Sequence, residues 1–315
     1  MTKHFSRRAF LSGAAAATAA VAAPAATAAQ AAAPRYQKGV SPWPLAINSS
    51  TIRPATVRGK VEAAAEAGWD AIELWINDLE KFEAEEGSLK LLNTMIKDKG
   101  MFVPNIIGLW DCMPSTQEEF DASLPATRER MRRSAEVGSE FVAAIPAPDR
   151  ADFDLKWGAE KYRELMRIGR EDYGVKVAIE FVGFMKGVHR LGQACALAVD
   201  ADDPAACIIA DTFHLFRGGS GFNGVRHLQG SLLANFHWND VLDEVPRDQQ
   251  GDEHRVYPGD GILPLGQLLK DLKAIGYTRT LSLEIFKREY WEMDPKVVAK
   301  TGLQKMVDCI AKAGV

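Results

Sequence analysis

From residue 34 onward the chain repeats one pattern. A short apolar run is followed by a longer stretch in which apolar positions recur every three or four residues. The short runs predict strands at 45–48, 71–75, 102–109, 141–145, 175–181, 206–211, 232–237 and 281–285. Several are unbroken Ile, Val, Ala and Leu, as expected of parallel strands covered on both faces. The longer stretches predict amphipathic helices, among them 55–67, 116–137, 156–173, 263–275 and 295–313. "EAGWDAIEL" and "KAIGYTRTLSLEI" each end a helix at glycine, Gly68 and Gly276, before entering a strand. Eight strands alternating with helices predict an α/β fold, a (β/α)8 TIM barrel, as one domain over residues 34–315. The polar stretch 240–260 is too long for a minimal connection and is expected to form an active-site lid.

The first 33 residues break the pattern. Arg7 and Arg8 in "SRRAFL" precede an Ala-rich run with small-residue cleavage sites such as Ala26-Thr27-Ala28. This is the layout of a twin-arginine signal peptide, so the export machinery is an expected partner and the periplasm the expected location. Of 315 residues, 47% are apolar and 25% charged, and the net charge is −4. That balance supports a sizeable core and argues against nucleic acid as a partner. The four cysteines form no CxxC pair or zinc-finger spacing. "RGGSGFNG" (217–224) matches neither the Walker motif nor the dinucleotide fingerprint.

The chemistry gathers where the later strands end. The fifth ends on Glu180, the sixth on Asp211 with His214 beyond, the seventh on His237 with Asp240 beyond, and the eighth on Glu284. In such barrels the C-terminal ends of the strands form the active site. One charge at the end of an apolar strand is readily a salt bridge; four on adjacent strands converge on one axis. Three carboxylates there would repel one another without a cation. A set of three carboxylates and one imidazole suits a single divalent ion, Mn2+, Mg2+ or Co2+, better than a structural zinc. Glu73, and Trp43, Trp75, Trp110 and Trp238 near other strand ends, divide evenly between pocket and packing roles. Arg217 is placed to reach a hydroxyl-rich or anionic substrate, or to lie in a solvated loop.

The order Glu, Asp, His, Glu on strands five to eight resembles the xylose-isomerase-like barrels. It is most similar to their sugar isomerase and epimerase branch, which includes ketose 3-epimerases and inosose dehydratases. "DTFH" (211–214), "HWND" (237–240), "RVYPGDGILPL" (255–265) and "LSLEIF" (281–286) carry the likeness, over roughly residues 40–312. The resemblance implies that Glu180, Asp211, His237 and Glu284 bind the metal. It also implies that Glu180 and Glu284 act as the acid/base pair, and that His214 and Arg255 contact substrate. Where the family often carries lysine in the seventh-strand motif, this chain has Asn239.

A metal-bound carbonyl makes the neighbouring C–H acidic, and a glutamate in reach can remove that proton. The expected activity is therefore isomerisation or epimerisation of a sugar or keto-sugar. The alternative is a lyase of the same fold, a dehydratase or β-eliminase on an inosose or 3-keto-glycoside. A non-catalytic sugar-binding barrel would not need four ligands in order, and a DNA-repair relative would want a basic face. The expected partner is a small sugar or polyol; assembly into a homo-oligomer is left open.

Overall fold

In the computed structural model, residues 36–315 are described; the expected signal peptide, with Arg7 and Arg8, lies outside them. Eight parallel strands close into a barrel. They are β1 (Leu45–Asn48), β2 (Ala71–Trp75), β3 (Asn105–Leu109), β4 (Phe141–Ala144), β5 (Lys176–Glu180), β6 (Ile208–Asp211), β7 (Leu233–Trp238) and β8 (Leu281–Leu283). They neighbour one another in chain order, and β8 pairs with β1 to close the ring. All eight expected strands are present. The third is shorter than expected because Pro104 has no N–H for a ladder, so pairing with β4 begins at Asn105.

Each strand is followed by helical structure, the last by two helices. The principal helices are α1 (Val57–Ala67), α2 (Ile76–Glu86), α3 (Leu89–Asp98), α4 (Gln117–Glu136), α5 (Leu155–Ile168), α6 (Leu191–Asp200), α7 (Thr212–Arg217), α8 (Leu265–Ala274), α9 (Arg288–Trp291) and α10 (Pro295–Ala313). Thr56, Thr116, Asp154 and Asp294 cap α1, α4, α5 and α10 with their side chains. Gly68 closes α1 at φ +92°, a left-handed conformation that costs glycine nothing.

Alternate residues of each strand point inward. On the inner face, apolar side chains and polar ones segregate. Ile107, Phe141, Ala143, Ala178, Cys207, Ile209 and Ala234 form a small cluster separate from the main core between sheet and helices. The strand register sets the polar layer beside it: Asn48 lies level with Glu73, and His237 lies level with both Asp211 and Ser282. All five are buried.

Candidate active site

His237 stands at the centre of the polar layer. Its Nδ1 lies 2.9 Å from Glu180 Oε1, 3.3 Å from Glu284 Oε2 and 3.7 Å from Asp211 Oδ2. One ligand atom from each of these four residues falls within 4.8 Å of all the others, so the four expected ligands do converge. His237 Nδ1 is buried and makes no well-angled hydrogen bond. A shared cation fits this arrangement: one ring nitrogen lone pair and three carboxylates facing one point. The residues that could hold a divalent ion are therefore Glu180, Asp211, His237 and Glu284.

Other side chains fix Asp211, His237 and Glu284. Asp211 is also the N-cap of α7, accepting from the His214 N–H at 3.0 Å. Asn239, in the place of the family's lysine, keeps its amide nitrogen 3.4 Å from Asp211 Oδ1 and is itself pinned by the Thr212 hydroxyl. No added positive charge stands at that position. On its far side His237 Nε2 meets Glu73 Oε1 at 3.0 Å. Glu73 therefore belongs to the buried layer beneath the site and does not line the pocket.

The 240–260 stretch, expected as an active-site lid, brings Asp252 and Arg255 to the cavity and is tied down. Asp240–Val241 and Arg255–Val256 form an antiparallel ribbon. Asp240 accepts from the backbone N–H groups of Val241, Gly259 and Leu263 at 2.9, 3.1 and 2.9 Å. Gly261 packs so close that a Cβ there would strike Val241 O and Asp240 Oδ1. The "HWND" aspartate and the "PGDG" turn thus form one loop anchor, and its product is the position of Arg255. That guanidinium is buried, with Nη1 2.6 Å from Asp211 Oδ2 and 2.8 Å from Glu284 Oε2, and Nη2 2.5 Å from Asp252 Oδ1. Arg217, in contrast, points away. Its Nε donates to Gln250 O at 2.8 Å, and it is not among the residues that line the pocket.

Burial and crowding move the titrations apart. Burial raises the Glu284 carboxyl to about 8, with Glu180 and Asp211 adding to the rise and the His237 and Arg255 charges opposing it. Burial also acts to raise Asp211, but Arg255, His214 and His237 outweigh it and hold that carboxyl below the usual range. For His237 burial works downward, yet the carboxylates of Glu284, Glu73 and Glu180 hold its pKa well above the ordinary imidazole value. Burial lowers His214, aided by Arg255, which keeps that ring neutral at neutral pH.

The cluster opens into a cavity of about 430 Å3 at the C-terminal ends of the strands. Trp75 and Trp110, stacked with centroids 5.5 Å apart, form one wall with Phe286 edge-on to Trp75. Phe184, His214 and Arg255 line it too, as do Glu180 and Glu284. Two of the four tryptophans considered from sequence therefore face the pocket. Trp43 and Trp238 are buried in packing. Asp111, Asp149 and Asp252 also line the cavity. They come from loops without periodicity, where sequence carries no signal beyond polarity.

Fold and site together define a (β/α)8 barrel with a cluster able to hold a metal ion at its mouth. The chain belongs to the xylose isomerase-like TIM barrel family, whose model matches residues 61–309. It is 30% identical to an inosose isomerase of Bacillus licheniformis over 181 residues, 56% of this chain and 64% of that enzyme. The chain thus spans less than two thirds of that relative. It is 24% identical to a 3-dehydroshikimate dehydratase of Pseudomonas putida over 80% of this chain and 39% of that protein. Among solved structures, the IolI protein with a bound zinc atom superposes with a TM-score of 0.79 at 24% identity, covering 85% of this chain and 98% of IolI. L-ribulose 3-epimerase superposes with a TM-score of 0.70 at 18% identity, covering 86% and 95%. At these identities the structural likeness carries the fold.

Proposed function

We propose that this enzyme moves a proton next to a carbonyl of an uncharged sugar or keto-polyol, as an isomerase or epimerase, with Glu180 and Glu284 as the acid/base pair. The observation that carries this reading is the meeting of Glu180, Asp211, His237 and Glu284 at one buried point that opens into the cavity. A divalent ion held by those four residues would withdraw electron density from the substrate carbonyl and an adjacent hydroxyl, making the C–H between them easier to ionise.

The protein's own groups do the rest. One glutamate takes the proton from carbon and the other returns one. In the metal-free protein burial raises Glu284 to about 8, and binding of the ion would take that proton off, leaving the carboxylate able to accept one from carbon. Arg255 and neutral His214 face the same space and would orient substrate hydroxyls. The stacked Trp75 and Trp110 offer a flat apolar wall to a ring's C–H face. Five carboxyl groups line the cavity, and its one lining cation, Arg255, is already paired with Asp211, Asp252 and Glu284. This balance favours a neutral substrate over a phosphate or carboxylate.

Likeness to a dehydratase over 80% of the chain supports a second reading on the same groups. In it, proton removal is followed by loss of a β-substituent, as from an inosose or 3-keto-glycoside. Incubation of the metal-loaded enzyme in D2O with ketoses, inososes and 3-keto-glycosides tests both. Deuterium at the reacting carbon with the skeleton intact supports the isomerase, and a released group with an unsaturated ring supports the lyase. Absence of both across the panel contradicts proton transfer. We further propose that residues 1–33 direct twin-arginine export and that the enzyme works in the periplasm.

A further inference from the structure

We propose that Glu73 is a positioning residue that fixes which nitrogen of His237 faces the site. The proposal rests on the reading above that His237 is a metal ligand. Glu73 is fully buried on β2, and five donors surround its carboxylate. Oε1 accepts from Asn105 Nδ2 at 2.7 Å and Asn235 Nδ2 at 2.9 Å, and lies 3.0 Å from His237 Nε2. Oε2 accepts from the Ser282 hydroxyl at 2.5 Å and Asn48 Nδ2 at 2.9 Å.

A carboxylate accepts on both oxygens and donates on neither. Beside it the His237 Nε2 carries a hydrogen, which leaves the Nδ1 lone pair to point at Glu180, Asp211 and Glu284. The opposite tautomer would set two acceptors against each other at 3.0 Å in a buried layer. Carboxylate–histidine pairing of this kind orients a ligating imidazole and raises its basicity.

The cage selects glutamate over its isosteric amide. A glutamine at 73 must turn its NH2 toward one of the two groups of donors. On the Oε1 side it would meet the Asn105 and Asn235 amides and His237 Nε2–H. On the Oε2 side it would meet the Asn48 amide, which cannot flip. Asn48 Oδ1 is held by the Trp75 indole at 2.8 Å and the Ser50 N–H at 2.9 Å. The same Asn48 amide also reaches Glu284 Oε1 at 3.1 Å. Glu73 therefore touches the site twice, through His237 directly and through Asn48 to Glu284.

The test uses Zn2+ as probe, with its affinity measured by chelator competition. The wild-type, Glu73→Asp and Glu73→Gln full-length proteins are compared, with thermal unfolding of the metal-free forms in parallel. Glu73→Gln is expected to weaken Zn2+ binding by about 10- to 100-fold, the usual cost of losing an outer partner of a ligand, and Glu73→Asp by less. Equal affinity in folded Glu73→Gln would overturn the inference while leaving the metal site standing. A wild-type protein that binds no Zn2+ would overturn both. A second measurement needs no variant: 15N NMR of His237 in the Zn2+-loaded wild type. Coordination through Nδ1 with a slowly exchanging hydrogen on Nε2 is expected; coordination through Nε2 would overturn the proposal even if the variants fail to fold.

Discussion

Arg255 holds its Nη1 2.6 Å from Asp211 Oδ2, so the loop that follows β7 is locked to the end of β6 by a buried ion pair. The same nitrogen reaches Glu284 at 2.8 Å. Arg255 is thus both a wall of the cavity and a counter-ion for two of the four candidate ligands.

Removing that guanidinium leaves two buried carboxyl groups without their partner. Arg255→Ala should destabilise the metal-free protein by about 3–5 kcal/mol, read by chemical denaturation. A divalent ion should restore part of the loss by supplying positive charge at the same point. Wild-type stability in this variant would show that the pair contributes nothing to the fold.

The raised carboxyl of Glu284 gives the site a pH dependence with two opposite signs. In the metal-free protein Glu284 passes from 4.5 unfolded to about 8 folded, and His237 also titrates above its ordinary value. Both bind protons more tightly in the native state. Their contribution to stability is present at low pH and is lost as pH rises through those values. Metal binding must expel the same protons. Between about pH 6 and about pH 8.5, metal-free stability should therefore fall while affinity for the ion rises. Thermal unfolding and metal titration in parallel read both, and a flat metal affinity across that range would contradict the assignment.

The loop anchor predicts a separable defect. Asp240→Ala removes the acceptor for three backbone N–H groups, and Gly261→Ala forces a Cβ against Val241 O. Each should lower kcat/KM by displacing Arg255 while metal content stays near one ion per chain. Loss of metal in step with activity would place the loop in ion binding instead.

How much of this was legible follows from what leaves a mark on a linear pattern. A charged residue ending an apolar run is conspicuous, and Glu180, Asp211, His237 and Glu284 all have that signature. The eight strands were visible for the same reason, since a run buried on both faces stays apolar. Glu73 was half legible. Its cage partners were missed: Asn48 and Asn105 stand at strand ends and Asn235 and Ser282 inside strands, and a lone amide or hydroxyl there reads as tolerated polarity. The two readings of Arg217 stay level in the sequence because neighbourhood along the chain does not fix side-chain direction; here it turns to Gln250 and the loop. The polar composition of 240–260 marks a lid but not its anchor, because the Asp240 bonds to Gly259 and Leu263 join residues 19 and 23 apart and leave no periodicity.

The aromatic wall predicts a binding defect without a metal defect. Trp110→Ala removes one face of the stacked pair that lines the cavity. KM for a ring substrate should rise, with the bound ion unchanged by metal analysis. An unaltered KM would return Trp110 to rim packing.

Export is tested outside the barrel. Replacing Arg7 and Arg8 with lysine should keep the precursor in the cytoplasm, scored by cell fractionation. Normal periplasmic accumulation would overturn the twin-arginine proposal.

The central claim is that Glu180 and Glu284 exchange a substrate proton with solvent. It is tested most directly by solvent deuterium incorporation in the metal-loaded wild type beside Glu180→Gln and Glu284→Gln, with metal content measured in each sample. The wild type should place deuterium on the reacting carbon, and each variant that retains its ion should do so at least ~10²-fold more slowly. Product free of deuterium from the wild type, or a full rate from metal-loaded Glu284→Gln, would contradict it.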